Sequence, residues 1–465
     1  MDDQLVTALS LVADEHFRTR EDVKRGREAD LAARAKEDEP PLAAIEMVKS
    51  ALGLAELRYL GRVGGGRSSS SVVKVHLRRD DQHEGVAILK MTSRESDFRL
   101  EREGHKAALS SWMQCWVSRE PSAVEIRGKR REEKSFALLS ILAFPPTAMS
   151  DDTPSLERII GQGRLQTATR VVEALGAGYG AQLVHATRND RSPREFVREL
   201  LKHWHTPTAL GVWAMGEFWR LAGLPGPEIS CFIDQGTVVP NPLCFVGAED
   251  GLTAKAVYFR SFQHGDLNAG NLLVGEASGE GSPAIRLIDF EKAADASAVL
   301  DICWLALWSL VASRRVPPPS VGQWEATPRA LVDAILGDSP ADYHLGTLQL
   351  GIDLARVLFG AIHRYPDEFA DKDTAGFWRN RLQDQCALTL GAASLAMAYY
   401  ELRNLDRAIE SGDDTGGEEV MTAGLWAVCF FRTAAFALSR YAGRSGDTPK
   451  IDMGKVLRRW IGASA

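Results

Sequence analysis

The segments 264-HGDLNAGNLLV-274 and 285-IRLIDFE-291 constrain the fold of this chain more than any other part of its sequence. The first places Asp266 five residues before Asn271, and the second places Asp289 at the end of a short apolar strand. Carboxylate and amide oxygens are the ligands that suit a hard, octahedral Mg²⁺ ion. Each residue alone is consistent with a turn or a helix cap. The three spacings together predict that these side chains converge around one divalent ion.

The same spacing is typical of a phosphoryl-transfer loop. In kinases an Asp that orients the acceptor hydroxyl is followed five residues later by a metal-binding Asn, and a second Asp binds the metal that bridges the phosphates. Asp266 is therefore predicted to be the catalytic residue, and Asn271 and Asp289 to be metal ligands. His264 is predicted to hold the loop in place and not to act as a base.

The two segments together resemble the aminoglycoside phosphotransferase and choline kinase group, relatives of the protein kinases. Asp301 stands ten residues after Glu291, where this group commonly has an Asp that opens a helix. The resemblance covers about residues 57–145 and 255–310. It implies an α+β, two-lobed protein-kinase-like fold, with a small antiparallel sheet and one helix in the N-lobe and a large helical C-lobe. It also implies ATP and Mg²⁺ as cofactors.

A chain of 465 residues exceeds one typical core, and three parts are predicted. Residues 1–50 are read as an N-terminal helical extension, either a solvated helix packed on the body or a partner-binding arm. Residues 51–143 form the nucleotide-binding N-lobe. Residues 144–465 form the helical C-lobe, which contains the catalytic loop 264–271 and an insertion at about 187–255.

The Gly-rich stretch 61-GRVGGGRSSSS-71 nearly matches a Walker phosphate loop. A Walker loop continues into a helix whose N-terminus faces phosphate, whereas this stretch enters 72-VVKVHL-77, a strand by composition. A kinase-type loop whose backbone N–H groups cover the phosphates is therefore predicted. The residues assigned to this cofactor contact are Gly64, Gly65, Gly66 and Ser68.

Lys90 in 86-VAILK-90 resembles the strand lysine that pairs with ATP phosphates. The period of two places Ile88 on the same face as Lys90, where it is predicted to contact adenine. Leu89 and Met91 then point to the opposite face.

The partner of Lys90 is expected to be a glutamate on the next helix, predicted over roughly Ser96 to Trp116. Glu95, Glu101 and Glu103 are the candidates. Because 102-REGHKAAL-109 resembles the Arg-Glu helix segment of the family, Glu103 is predicted to be the partner.

Three departures from the related families affect the predicted activity. Gly265 replaces the arginine of the protein-kinase H-R-D, and Glu291 replaces the flexible glycine of D-F-G, so the enzyme is predicted to be competent without loop phosphorylation. Asn268 stands where many relatives carry His or Lys, which leaves the cation on the transferred phosphate unassigned.

The acceptor is the least constrained part of the prediction. Acidic groups of the C-lobe would hold an amine substrate, although a solvated loop explains them equally: Asp406, Glu410, Asp413, Asp414, Glu418 and Glu419. An aromatic cluster is assigned either to a pocket or to a helix core: Trp204, Trp213, Phe218 and Trp219. A kinase of a small hydroxyl-bearing molecule is preferred, the alternatives being a kinase of a protein or other macromolecule and a nonenzymatic ATP-binding scaffold.

Composition restricts the cellular setting. The net charge of −7 does not favour a nucleic-acid partner. The N-terminus lacks the pattern of a signal peptide, and the apolar run 386–400 is too short for membrane insertion, so a cytoplasmic location is expected.

None of the six cysteines forms a C-x-x-C pair, which gives no indication of zinc or of a disulfide framework. A protein partner is considered only for the N-terminal extension.

Overall fold

The computed structural model of the chain describes residues 42–63, 71–78, 84–118, 121–127, 134–141, 153–206, 219, 224–247, 256–275, 283–313, 320–337, 343–366, 372–411 and 416–439.

Strands and helices alternate in the first half of this part of the chain, and helices dominate the second half. The strands are β1 (Glu56–Arg62), β2 (Ser71–Arg78), β3 (Glu84–Thr92), β4 (Ser122–Arg127), β5 (Lys134–Ile141), β6 (Thr187–Arg191), β7 (Cys231–Asp234), β8 (Thr237–Pro240), β9 (Ala256–Gln263), β10 (Leu272–Gly275), β11 (Ala284–Leu287) and β12 (Ala294–Ser297). The α-helices are α1 (Leu42–Leu52), α2 (Glu95–Leu109), α3 (Leu156–Gly161), α4 (Leu165–Gln182), α5 (Pro193–His203), α6 (Pro242–Gly247), α7 (Leu300–Ala312), α8 (Val321–Leu336), α9 (Gln349–Arg364), α10 (Lys372–Ser411) and α11 (Gly416–Leu438). Short 3₁₀ helices cover Trp112–Cys115, Leu183–His185, Ala269–Asn271 and Gly346–Leu348.

These residues form two compact units. The first unit contains the described residues within Arg34–His185 and Ser261–Ala312. The second unit contains those within Ala186–Arg260 and Ser313–Ala465.

The first unit begins with a five-stranded sheet in the order β1-β2-β3-β5-β4, in which every neighbouring pair is antiparallel. Strand β3 lies at the centre, and its residues from Val86 to Met91 are all buried. A central strand with both faces covered favours such a continuous apolar run. Helix α2 connects β3 to the outer pair β4 and β5. This antiparallel sheet, followed by a mostly helical remainder, confirms the predicted fold class.

The two faces of β3 carry different neighbours. Ala87, Leu89 and Met91 face a core that includes Ile45 and Val48 of α1. Helix α1 therefore packs against the sheet, although it contains the last residues of the predicted extension 1–50; the rest of that extension, through residue 41, lies outside the described residues. The opposite face of β3 carries the functional side chains.

Helix α4 belongs to the same unit as the predicted catalytic loop. Its apolar stripe is buried, as the helical spacing predicts: Ala168, Val171, Val172, Leu175 and Tyr179. The helix continues through Gly176, Gly178 and Gly180, although glycine is a poor helix former. At Gly178 the reason is close packing, since a Cβ there would lie 2.4 Å from the Trp116 ring.

In the second unit α10 and α11 pack closely against each other, and a Cβ at Gly391 would lie 2.8 Å from the Leu438 side chain. Arg432 of α11 is fully buried and donates two 2.6 Å hydrogen bonds to the carboxylate of Asp234, at the end of β7. It also donates to the main-chain oxygens of Trp324 and Glu325 in α8, so one guanidinium joins the β7–β8 hairpin to two helices.

Two residues of the predicted aromatic cluster, Trp204 and Trp219, are buried in the second unit, whereas Trp213 and Phe218 lie outside the described residues. Of the predicted acidic acceptor groups in 406–419, no side chain is among those described. Within the described ranges, every helix is too short or too polar to cross a membrane.

Candidate active site

Lys90 is the centre of a cluster of buried charges. Its Nζ atom lies 2.8 Å from Oε2 of Glu101, 2.6 Å from Oδ1 of Asp289 and 3.3 Å from Oε2 of Glu291. The lysine side chain is 7% exposed, whereas Asp289 and Glu291 are 25% and 26% exposed. One ammonium group thus joins strand β3, helix α2 and the segment that follows β11, with two of its three carboxylates open to solvent.

The helix partner of Lys90 is Glu101, and the prediction of Glu103 is wrong. The buried face of α2 consists of Glu101, Gly104, His105 and Ala108, at the spacing of one helix face. Glu103 lies two residues further along, about 200° around the helix axis, and is exposed. The resemblance of residues 102–109 to the family segment does not determine which face of α2 is buried. The observed burial pattern places Glu101 on that face.

Opposite charges and burial compete within the cluster. Burial alone would lower the pKa of Lys90, but the Glu101 and Asp289 carboxylates raise it above its ordinary value. Burial raises the pKa of Glu101 to about 7 against the pull of Lys90. Burial would also raise the pKa of Asp289, yet the Lys90 ammonium lowers it. The partly exposed carboxylate of Asp289 therefore stays ionised.

Helix α2 also fixes the backbone beside Asp289. The N–H of Phe290 donates a 2.9 Å hydrogen bond to Oε1 of Glu101, so Glu101 binds Lys90 with one oxygen and the main chain with the other. Gly104 lets the helix approach, because a Cβ there would lie 2.1 Å from the Phe290 carbonyl oxygen. Asp289 itself has a left-handed backbone with φ of 69°.

The predicted catalytic loop is built by its asparagines. Oδ1 of Asn268 accepts hydrogen bonds from the N–H groups of Gly270 and Asn271 and so caps the 3₁₀ helix Ala269–Asn271. Nδ2 of Asn271 donates to the main-chain oxygen of Asp266 at 2.9 Å. The N–H of Ile288 donates to the main-chain oxygen of Asn271 at 3.1 Å, which brings the end of this loop beside Asp289.

Asp301, at the start of α7, holds the front of the loop. Its carboxylate accepts the N–H of His264 at 2.6 Å and the N–H of Gly265 at 2.8 Å. Tyr179 of α4 donates to Oδ2 of the same carboxylate at 2.7 Å. Nε2 of His264 donates to the main-chain oxygen of Ile288 at 2.8 Å. His264 and Asp301 thus have the geometry of loop supports, which is the role predicted for His264.

The carboxylate of Asp266 has a defined partner on each oxygen. Nε1 of Trp304 donates to Oδ1 at 3.0 Å, and the Trp304 side chain is only 1% exposed. Nζ of Lys292 lies 3.6 Å from Oδ2. The two carboxylate oxygens therefore face different surroundings, a buried indole on one side and a partly exposed lysine on the other.

A cleft joins the charged cluster to an apolar surface. Its lining residues are Val72, Ile88, Lys90, Glu101, His105, Leu138, Ser140, Leu287, Ile288, Asp289 and Phe290. Ile88 lies on the same face of β3 as Lys90, as the strand period predicts, and packs with Leu273 and Ile288. Val72 and Leu138 are the direct neighbours of Lys90 on the flanking strands. One end of the cleft is apolar and the other is ionic.

Oxygen ligands for a cation are grouped at the ionic end. One carboxylate oxygen each from Glu101, Asp289 and Glu291 lies within 4.8 Å of the others. The main-chain oxygen of Asn271 accepts the N–H of Ile288, the residue before Asp289, so the end of the loop lies next to this segment. The grouped donors are carboxylate oxygens, which are ligands that Mg²⁺ prefers.

The structure brings together Asp266, Asn271, Asp289, Lys90 and Ile88 in the first unit. The predicted phosphate-covering residues Gly64, Gly65, Gly66 and Ser68 lie outside the described residues. The sequence prediction named Glu101 only as an alternative to Glu103, and it did not assign Trp304 or Lys292 to the site. Contacts from distant segments, such as those of Trp304 and Lys292, give no local signal in the sequence.

The sheet, the lysine–glutamate pair and the supported loop define a kinase-like fold. No family model and no curated protein match the chain. An ethanolamine kinase from Plasmodium vivax is similar in structure, with a TM-score of 0.36 and 10% identity over 83% of this chain and 82% of that one.

A macrolide 2'-phosphotransferase from Brachybacterium faecium gives a TM-score of 0.33 and 15% identity over 86% of this chain and 99% of that one. An amicoumacin kinase in complex with AMP-PNP and Ca²⁺ gives 0.29 and 13%, over 76% of this chain and 96% of that one. Similarity at this level supports no conclusion about activity. Such a conclusion has to come from the site residues themselves.

Proposed function

We propose that this protein is a Mg²⁺- and ATP-dependent phosphotransferase that transfers the γ-phosphoryl group of ATP to a hydroxyl of a small molecule. The observation that carries the proposal is the position of Lys90, whose Nζ contacts both Glu101 and Asp289. A lysine on a central strand, held by a helix glutamate and next to a metal-binding Asp, is the phosphate-binding arrangement of kinases.

The cleft supports ATP as the phosphoryl donor. Its apolar end carries Val72, Ile88 and Leu138, side chains of the kind that contact a purine base, and its ionic end carries Lys90, which can pair with phosphates. Ile88 and Lys90 are two residues apart on one face of β3, about 6–7 Å, so a nucleotide whose base contacts Ile88 can extend its phosphates toward Lys90.

The grouped carboxylates suit a Mg²⁺ ion, with Asp289 as its proposed ligand and the carboxylate of Glu291 nearby. Asn271 is proposed as a further ligand. When bound, the ion neutralises charge on the phosphates. Lys90 then orients the phosphates from the strand side. Asp266 accepts the proton of the acceptor hydroxyl while the acceptor oxygen forms its bond to phosphorus and ADP departs with the electrons of the broken P–O bond.

Calorimetry of ATP binding, with and without Mg²⁺, tests the first half of the proposal. Wild-type protein is expected to bind ATP in a Mg²⁺-dependent manner, and Asp289→Asn is expected to lose at least about tenfold in affinity because one anionic ligand is removed. Equal affinity of both proteins for Mg–ATP would contradict the assignment of Asp289.

A labelling experiment tests the second half. Protein and γ-labelled ATP are incubated with a cell extract separated by ultrafiltration into small molecules and macromolecules, and Asp266→Ala supplies the background. Label that enters the small-molecule fraction only with wild-type protein supports the proposal. Label in the macromolecular fraction favours a macromolecular acceptor, and Mg–ATP binding without any transfer favours a nonenzymatic scaffold.

A further inference from the structure

Lys292 occupies a position next to the proposed catalytic carboxylate that the sequence does not assign. It follows Glu291 directly, two residues before β12 begins, and its Nζ lies 3.6 Å from Oδ2 of Asp266. The side chains of Lys292 and Asp266 are 26% and 25% exposed. Both groups are thus partly accessible to solvent, and so to a ligand.

Two other polar side chains near the loop are already committed to different contacts. Lys90 is 7% exposed and lies within 3.3 Å of three carboxylates. Asn268 uses its oxygen to cap the 3₁₀ helix and its Nδ2 to reach the main-chain oxygen of Asp266 at 3.4 Å. Among the described residues of the loop, Asn268 is neutral and turned into the loop itself, so it provides no positive charge to a ligand.

The orientation of Asp266 makes the position of Lys292 specific. Trp304 is buried and donates to Oδ1, which fixes the carboxylate with Oδ2 toward Lys292. The oxygen proposed to accept a proton and the ammonium group therefore lie on the same side. Negative charge that develops beside this oxygen during transfer would be within reach of Nζ.

We propose that Lys292 is a catalytic residue that binds the transferring phosphoryl group and stabilises its equatorial oxygens. This inference depends on the proposed phosphotransferase function. In the protein without substrate Lys292 pairs with Asp266; during transfer the ammonium contacts phosphoryl oxygen while Asp266 takes the hydroxyl proton. A fixed cation at this place lowers the barrier because it interacts more strongly with the transition state than with the bound nucleotide.

Binding of ADP, Mg²⁺ and aluminium fluoride tests this role without knowledge of the acceptor, because the fluoride complex mimics a phosphoryl group in transfer. Wild-type protein, Lys292→Gln and Lys292→Arg are compared by calorimetry with ADP–Mg²⁺ alone and with ADP–Mg²⁺–aluminium fluoride. Lys106→Gln, which changes an exposed lysine on α2, is the matched control.

Lys292→Gln is expected to weaken binding of the fluoride complex about 10- to 100-fold and to change the affinity for ADP–Mg²⁺ less than about twofold. Lys292→Arg is expected to recover part of the loss, and Lys106→Gln to match the wild type. If Lys292 had only a structural role, Lys292→Gln would change the affinities for both ligands equally, and this result would overturn the inference. Wild-type affinity of Lys292→Gln for the fluoride complex would overturn it as well.

The design separates the two proposals. Wild-type protein that binds Mg–ATP but shows no difference from Lys292→Gln overturns only the role of Lys292. Wild-type protein that binds neither Mg–ATP nor the fluoride complex overturns the proposed function and this inference together.

Discussion

Oε2 of Glu101 lies 2.8 Å from Nζ of Lys90, and both side chains are almost completely buried. A buried ammonium group requires compensation by opposite charge, because its desolvation is costly. Asp289 and Glu291 also contact Lys90, but only Glu101 simultaneously binds the main chain at Phe290.

We therefore predict that Glu101→Gln destabilises the protein by about 1–3 kcal/mol, because it removes a charged hydrogen-bond partner from a buried lysine. Mg–ATP binding should weaken at the same time, since Lys90 loses its fixed position. Glu103→Gln, on the exposed face of the same helix, is the matched control and should stay within about 0.5 kcal/mol of the wild type. Urea unfolding and calorimetry measure both effects, and equal losses in the two variants would contradict the pairing.

Asp266→Ala is predicted to keep Mg–ATP affinity while transfer to the acceptor falls by roughly 10²- to 10⁴-fold, as expected for loss of a general base. Asp190→Ala, an exposed aspartate in β6, serves as the control. Single-turnover measurements with labelled ATP separate the chemical step from binding. Undiminished transfer in Asp266→Ala would exclude this residue as the base.

His105 gives a predicted pH dependence of stability. Burial lowers the pKa of His105 from 6.5 to about 4. Between these values the unfolded chain binds the proton and the folded protein does not, so the contribution is complete above about pH 6.5 and is lost as the pH falls toward 4. The full loss is about 3 kcal/mol, at about 1.4 kcal/mol per pH unit.

The comparison of wild type with His105→Gln isolates this effect. Glu101, whose pKa is raised by burial, titrates in the opposite sense, but it is present in both proteins and cancels in their difference. Unfolding free energies from pH 4.5 to 7 should show the wild type losing stability relative to the variant at the acid end. A pH-independent difference between the wild type and His105→Gln would refute the prediction.

Gly104→Ala is predicted to destabilise the protein, although alanine is favoured over glycine in a helix by about 1 kcal/mol. The added Cβ would lie 2.1 Å from the Phe290 carbonyl oxygen and 3.3 Å from Cβ of Ala293. Either α2 or the segment after Asp289 must move. Gly161→Ala, in helix α3 with no atom near the added Cβ, is the control, and it should be neutral or stabilising in thermal unfolding.

The spacing of Asp266, Asn271 and Asp289 predicts that their loops meet, and the structure places the main chain of Asn271 against that of Ile288, the residue before Asp289. A short loop and a short hairpin leave few arrangements for the chain here, whereas the convergence of the three side chains on a metal ion stays a prediction. The strand period likewise predicted which face of β3 carries Ile88 and Lys90. Both predictions depend on local periodicity or on short separations along the chain, where backbone geometry restricts the outcome.

The partners of these residues were harder to predict. The choice between Glu101 and Glu103 depends on which face of α2 packs against a distant segment. The resemblance of residues 102–109 to the family's helix segment does not reveal that face. Trp304 and Lys292 reach Asp266 from 38 and 26 positions further along the sequence. Such contacts are set by tertiary packing, which single-sequence patterns do not encode.

The backbone of Asp289 determines which variants at this position are interpretable. Its φ of 69° is a conformation that asparagine and aspartate tolerate but that most other side chains adopt only with strain. Replacement by alanine would therefore change the path of the main chain as well as remove the carboxylate, and a loss of activity would have two causes. Asparagine retains the backbone preference and the size of the side chain, so a defect of that variant reports on charge alone.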